Sequence, residues 1–190
     1  FSKLLNQKAS HVPSGQHALN EEYYKRMEAI TFTMAHDDGN MVEDISKADL
    51  ILLGVSRTSK TPTSIYLANR GFKTLNIPLV NNQSIPKELK IHPRLSCVVG
   101  LTTEPKRLVD IRKNRMNTLK ETENTNYTDI TKIKKEIDDA KKTFTKYKWP
   151  TIDVTRKSVE ETAASIIKIH EIYKNNVQWN NTCFEKRSKK

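Results

Sequence analysis

Glycine is scarce in this chain, five of 190 residues, and proline contributes seven. That excludes collagen-like and Pro/Gly-rich low-complexity architectures. Cysteine is rarer still. Cys97 and Cys183 lie far apart and outside any C-x-x-C pair, so neither a disulfide scaffold nor a thiolate zinc site is expected. His11, His17, His36, His92 and His170 are scattered without metal-ligand spacing. No apolar run approaches the roughly 18 to 20 residues of a membrane-spanning helix, and the N-terminus lacks the basic-then-apolar pattern of a secretory signal. A cytoplasmic protein is therefore expected, with no membrane partner. An initiator methionine is absent too, because the sequence opens on Phe1, and further residues are expected ahead of it.

Hydrophobic residues make up 36% and charged residues 29%, the balance of one folded domain with a buried core. Lysine and arginine outnumber the acids 33 to 22, a net charge of +11. The excess is local: residues 81–120 hold nine basic and three acidic side chains, many of them between Lys106 and Arg115. Such a block reads as an anion-facing surface. Nucleic acid is one anion to consider, but Lys106 to Arg115 contains no aromatic residue, and single-strand binders interleave stacking platforms with their cations. No nucleic-acid partner is expected.

Along the chain, Asn20 followed by Glu21 and Glu22 starts a helix running to about Met34, with Tyr23, Met27 and Ile30 on one face. His36-Asp37-Asp38-Gly39-Asn40 is turn chemistry. Its adjacent acids can coordinate a metal, take a proton, or simply close the helix in a solvated turn. Ala48 to Gly54 is a short continuous apolar run, as in a central strand covered on both faces. A helix through Thr63–Arg70 closes at Gly71, and Phe72 to Val80 reads as a second strand. These make a βαβ unit, hence a parallel sheet. Leu95–Leu101 is a third strand. Thr103 can cap a helix with Leu108, Ile111, Met116 and Leu119 on its stripe. After a polar loop at Glu121–Asn126 come a long amphipathic helix from Asp129 to about Tyr147, a strand at Thr151–Val154, and a last helix opened by the capping box Ser158–Glu161. Trp149 is expected in a core or anchoring role. The fold class is α/β, a parallel-sheet P-loop-type domain with flanking helices. Residues 1–40 read as an N-terminal segment, 41–174 as the catalytic domain and 175–190 as a basic tail expected to fray.

One segment carries chemistry. Gly54-Val55-Ser56-Arg57-Thr58-Ser59-Lys60-Thr61 fits the phosphate-binding loop G-x-x-x-x-G-K-[ST], with Ser59 at the second glycine position. The pattern survives if Ser59 adopts the backbone geometry glycine usually supplies. Loop N–H groups and the helix start would then face phosphate oxygens, Lys60 would add a charge, and Thr61 a hydroxyl for Mg²⁺.

These residues resemble the bifunctional regulatory proteins of pyruvate, phosphate dikinase and of phosphoenolpyruvate synthase. The resemblance runs from His17-Ala18-Leu19-Asn20-Glu21-Glu22-Tyr23 through His36-Asp37-Asp38-Gly39 and the Gly54–Pro62 loop. It continues in Asn76-Ile77-Pro78-Leu79-Val80, Gly100-Leu101-Thr102, Ile111-Arg112, Arg115 and Ile152-Asp153-Val154-Thr155 to Ser158–Ala163. Thr58-Ser59-Lys60-Thr61 looks like the dikinase branch; synthase regulators more often have Ser-Gly in place of Thr58-Ser59. The family's chains are longer, with an extra N-terminal domain. The resemblance implies an ADP-dependent serine/threonine kinase that inactivates the phosphohistidine form of the dikinase. It also implies a phosphate-dependent phosphorylase that reverses the modification and releases pyrophosphate. In that reading Lys60 and Arg57 clamp the ADP phosphates, Thr61 holds Mg²⁺, and Arg112 and Arg115 are candidates for binding a substrate phosphate. Asp37 or Asp38 takes the threonine proton. His36 either assists or only shapes the turn. Partners are the dikinase, ADP and phosphate, and a homodimer is allowed.

Overall fold

The computed structural model describes Asn6 and residues 21–39, 42–80, 85–119 and 125–187. Helix α1 (Glu21–Ala35) leads through two short 3-10 segments, Asp37–Gly39 and Val42–Lys47, into strand β1 (Leu50–Gly54). Then follow α2 (Lys60–Asn69), β2 (Thr74–Pro78), α3 (Lys87–Ile91), β3 (Cys97–Thr102) and α4 (Pro105–Leu119). The chain ends with α5 (Thr125–Thr128), α6 (Ile130–Tyr147), β4 (Thr151–Asp153) and α7 (Val159–Arg187). The four strands form one parallel sheet in the order β2-β1-β3-β4.

Every residue of β1 is buried, and its side chains alternate between two apolar layers. Ile51 and Leu53 pack with Leu108 of α4 and with Ile133, Ile137 and Phe144 of α6. Leu50 and Leu52 pack with Leu67 of α2 and with Ala163 and Ile166 of α7. A strand covered on both faces cannot alternate polar with apolar, which is why the run is continuous.

Local signals set the helix ends. At the close of α2, Gly71 has φ +86, its N–H donates to the Ala68 carbonyl at 2.8 Å and the Phe72 N–H donates to that of Leu67 at 3.1 Å. This is a Schellman closure. Asp129 caps α6 by accepting from the Thr131 N–H at 2.8 Å. Ser158 and Glu161 exchange backbone N–H contacts at 3.1 and 2.9 Å, closing the capping box of α7. Thr103, expected as a cap of α4, instead faces the Thr155 hydroxyl at 3.4 Å. Trp149 is buried and donates its ring N–H to the Pro93 carbonyl at 2.8 Å.

Helix α1 is bound to the sheet domain: Lys73 pairs with Glu28 at 2.6 Å, and the Thr74 N–H donates to Thr33 Oγ1 at 3.0 Å. Two element boundaries differ from the sequence reading, at α5 and at the last helix. Thr125 and Asn126, read as loop, open the short helix α5. The last helix continues past Lys174 to Arg187. The readings on Asn20 and on 121–124 fall outside the described residues, and those on Trp179 and Cys183 outside the described side chains. No helix of the described residues is long and apolar enough to cross a membrane.

Candidate phosphate-binding site

Strand order, not chain direction, reverses between β1 and β3, and the helices that follow them, α2 and α4, pack on opposite faces of the sheet. Crevices in open parallel sheets form at the carboxyl ends of strands at such a point. Here a cavity of about 320 Å³ is lined by Asp38, Ser56, Arg57, Ser59, Lys60, Thr61, Pro62, Pro78 and Ile111.

The loop leaving β1 is tight. A Cβ on Gly54 would meet Thr58 Oγ1 at 2.7 Å and the Leu101 carbonyl at 2.8 Å, so no other residue fits there. Thr58 donates to the Val55 carbonyl at 3.0 Å and is buried. Arg57 (φ 71) and Ser59 (φ 57) both occupy the left-handed region. Ser59 thus takes the conformation for which glycine is the usual residue, the condition the sequence pattern required. As N-cap of α2 it makes no side-chain hydrogen bond to the helix, so its hydroxyl does not cover the first-turn N–H groups. Exposed N–H groups in such a loop suit an anion.

Lys60 is 6% exposed and donates to the Val55 carbonyl at 2.9 Å. Burial pushes its pKa down from 10.5 to about 8. Asp38 and Asp37 resist that shift, while Arg57 and Arg112 add to it. This ammonium is thus under-compensated within the protein, and a bound anion would restore its balance.

The Asp37-Asp38 turn lies against this loop. Asp38 has φ 53 and lines the cavity. Asp37 faces Thr61, whose hydroxyl donates to Asp37 Oδ1 at 3.2 Å. Asn76 Nδ2 also donates to Asp37 Oδ1, and to Thr61 Oγ1 at 3.2 Å. Hydroxyl and carboxylate oxygens are hard ligands of the kind Mg²⁺ takes alongside substrate phosphates. Among the described residues no group of three or more His, Cys, Asp or Glu side chains is placed to hold a metal ion. His36 is buried, stacked on Phe32 at 3.9 Å, with Nδ1 2.7 Å from the Phe32 carbonyl. It anchors the turn.

The basic block on α4 is not one anion-facing surface. Arg115 is exposed, but Arg112 points inward and is 1% exposed. Its Nη2 lies 2.6 Å from Glu136 Oε2 and its Nη1 3.4 Å from Oε1. Nη1 also donates to the Tyr127 carbonyl at 3.1 Å, and the guanidinium sits over the Tyr127 ring at 4.6 Å. Nε has no hydrogen-bond partner among the described residues. A guanidinium buried this deeply needs a counter-charge, and Glu136 of α6 supplies it.

Sequence reasoning missed Asn76, Tyr127 and Glu136. The Tyr127 hydroxyl lies 3.5 Å from Ser56 Oγ. Burial raises the phenol's pKa, but hydrogen bonds with Ser56 and Arg57 and the charges of Arg112 and Arg57 bring it below the usual value. Tyr127 thus joins the Ser56–Thr61 loop to the α4–α6 seam.

The family model described as kinase/pyrophosphorylase matches residues 1–167. A protein of Pelagibacter ubique named pyruvate, phosphate dikinase regulatory protein is 86% identical over 176 residues, covering 93% of this chain and 64% of that protein. Proteins of the same name from Erythrobacter litoralis and Sphingopyxis alaskensis are each 52% identical, over 166 and 171 residues. They cover 87% and 90% of this chain and 59% and 63% of their own lengths. The chain therefore spans about three fifths of the curated relatives it matches. With the fold, the loop and these matches together, the chain belongs to the kinase/pyrophosphorylase family.

Proposed function

We propose that this chain carries the phosphoryl-transfer site of a bifunctional regulator of pyruvate, phosphate dikinase. In one direction it moves the β-phosphoryl group of ADP to a threonine hydroxyl of the phosphohistidine dikinase, leaving AMP and a proton. In the other, inorganic phosphate attacks the phosphothreonine, releasing pyrophosphate and the free hydroxyl. The observation that carries the reading is Lys60, a buried and under-compensated ammonium at the start of α2, facing a cavity bordered by Asp38 and the left-handed loop.

Phosphoryl transfer asks mainly for positioning and for positive charge around the transferring group. Lys60, Arg57 and the N–H groups of the Ser56–Thr61 loop hold the phosphate oxygens. Thr61 and Asp37 are the residues that would hold Mg²⁺, which when bound neutralises charge on the phosphates. Asp38 or Asp37 accepts the proton of the attacking hydroxyl. Pyrophosphate, the product of the reverse reaction, has two linked phosphates that fit the same cradle as a nucleoside diphosphate. The Thr58-Ser59 pair favours the dikinase over phosphoenolpyruvate synthase as target.

The test is incubation with radiolabelled ADP, Mg²⁺ and each purified target. Threonine phosphate and lost activity on the phosphohistidine dikinase are the expected result. Label appearing only on the synthase, or on neither target, overturns the reading.

A further inference from the structure

Asn76 is an anomaly in the core. It occupies the middle of β2, between Leu75 and Ile77, with no exposed surface. Its backbone pairs in register with Leu52 of the central strand. An apolar residue would suit the layer better, since Asn76 Oδ1 is buried with no hydrogen-bond partner among the described residues. An orphaned buried acceptor opposes folding. The amide is therefore poorly explained by stability.

Its other end is fully used. Nδ2 donates to Asp37 Oδ1 and to Thr61 Oγ1, and the Asn76 backbone N–H donates to the His36 carbonyl at 3.2 Å. The strand thus grips the acidic turn by its main chain, and the amide fixes how that turn meets the phosphate loop. Consider the Thr61 hydroxyl. Its proton points to Asp37, and one of its two lone pairs receives the Asn76 amide. A single lone pair is left to present to a ligand. Asp37 is likewise held on the Thr61 side, while its neighbour Asp38 borders the cavity.

We propose that Asn76 is a positioning residue that divides the work of the two carboxylates. It locks Asp37 and Thr61 together as the oxygen pair facing a divalent cation, and leaves Asp38 to take the proton from the attacking hydroxyl. This rests on the phosphoryl-transfer reading above.

The test reads cation binding apart from catalysis. Mn²⁺ is titrated by electron paramagnetic resonance into wild type, Asn76→Leu, Asp37→Asn, Asp38→Asn and the two double variants, all with ADP present. Asn76→Leu is expected to weaken Mn²⁺ binding about tenfold with the melting temperature unchanged or raised. That loss persists in the Asp38→Asn background and disappears in the Asp37→Asn background, because Asn76 acts through Asp37. Asp38→Asn alone keeps Mn²⁺ affinity while threonine phosphorylation falls. Equal losses in both backgrounds, or wild-type affinity in Asn76→Leu, overturn the proposal. If Asn76→Leu does not fold, Asn76→Ser, which is smaller and loses the amide, answers the same question. Wild type that binds neither Mn²⁺ nor ADP defeats the phosphoryl-transfer reading itself. Wild-type binding without the coupling defeats only the role of Asn76.

Discussion

Two buried cations lie close enough to feel each other's charge, and the fold treats them differently. Arg112, on the α4–α6 seam, is matched by Glu136, by the Tyr127 carbonyl and by the Tyr127 ring. Lys60, in the loop after β1, has the Val55 carbonyl and the more distant charges of Asp38 and Asp37. The first charge is neutralised by the protein and holds two helices together. The second is left short of a partner at the start of a helix, where, in the proposed function, an incoming anion would complete it. Being basic and buried thus does not distinguish a structural group from a functional one; the completeness of its partner set does.

The largest test of this contrast is Lys60→Met. Calorimetry should show ADP affinity falling by roughly 100-fold, the worth of one strong charged hydrogen bond, while the ligand-free protein melts no lower than wild type at pH 7. Unchanged affinity would remove Lys60 from the site. Glu136→Gln should do the reverse. It leaves Arg112 buried without its counter-charge and costs roughly 2 to 3 kcal/mol in urea unfolding, below the range for a wholly buried pair, because the Glu136 side chain is 36% exposed. ADP affinity should stay within a few-fold. Lost binding with intact stability would erase the distinction.

A pH series sharpens it. The unfolded Lys60 value is near 10.5 and the folded value about 8, so between them the native state holds fewer protons than the unfolded one. Stability relative to Lys60→Met therefore rises with pH from about 8 to 10.5, by up to about 3 kcal/mol. A bound phosphate favours the ammonium and raises its pKa again. Binding near pH 8.5 should then take up a proton and weaken about tenfold from pH 7.5 to 9.5. Calorimetry in two buffers of different ionisation enthalpy measures the uptake, and none at pH 8.5 would contradict the assignment. The smallest effect belongs to Ser59→Gly. Relief of the left-handed serine exceeds the added freedom of the unfolded chain by about 0.5 kcal/mol. A large loss of stability would mean that the Ser59 side chain has contacts of its own.

Local features were legible in the sequence. The unbroken β1 run, the Gly71 closure, the Ser158–Glu161 box and the loop itself all follow from neighbours in the chain. What escaped depends on crossovers. Arg112 completes a buried stripe with Leu108 and Met116 at steps of four, but its inward direction makes sense only once Glu136 is brought beside it. Asn76 offered one signal, a lone amide inside an apolar strand. Its partners Asp37 and Thr61 lie 39 and 15 residues away, and only the parallel pairing of β1 and β2 brings them together. Tyr127 sat beside a stretch read as loop, where periodicity carries no information.

The strand order also sets a timetable. Of the four strands β1 is central yet precedes the other three in sequence, so as it leaves the ribosome both its edges lack their partners. Thr74–Pro78 must arrive to close one edge and Cys97–Thr102 the other. α6, which carries Glu136, must follow before Arg112 can be sheltered. A nascent chain stalled before these points exposes an unpaired apolar strand, and the loop after β1 still lacks Asn76 beside Thr61 and Leu101 beside Gly54. That intermediate is a natural client for chaperones.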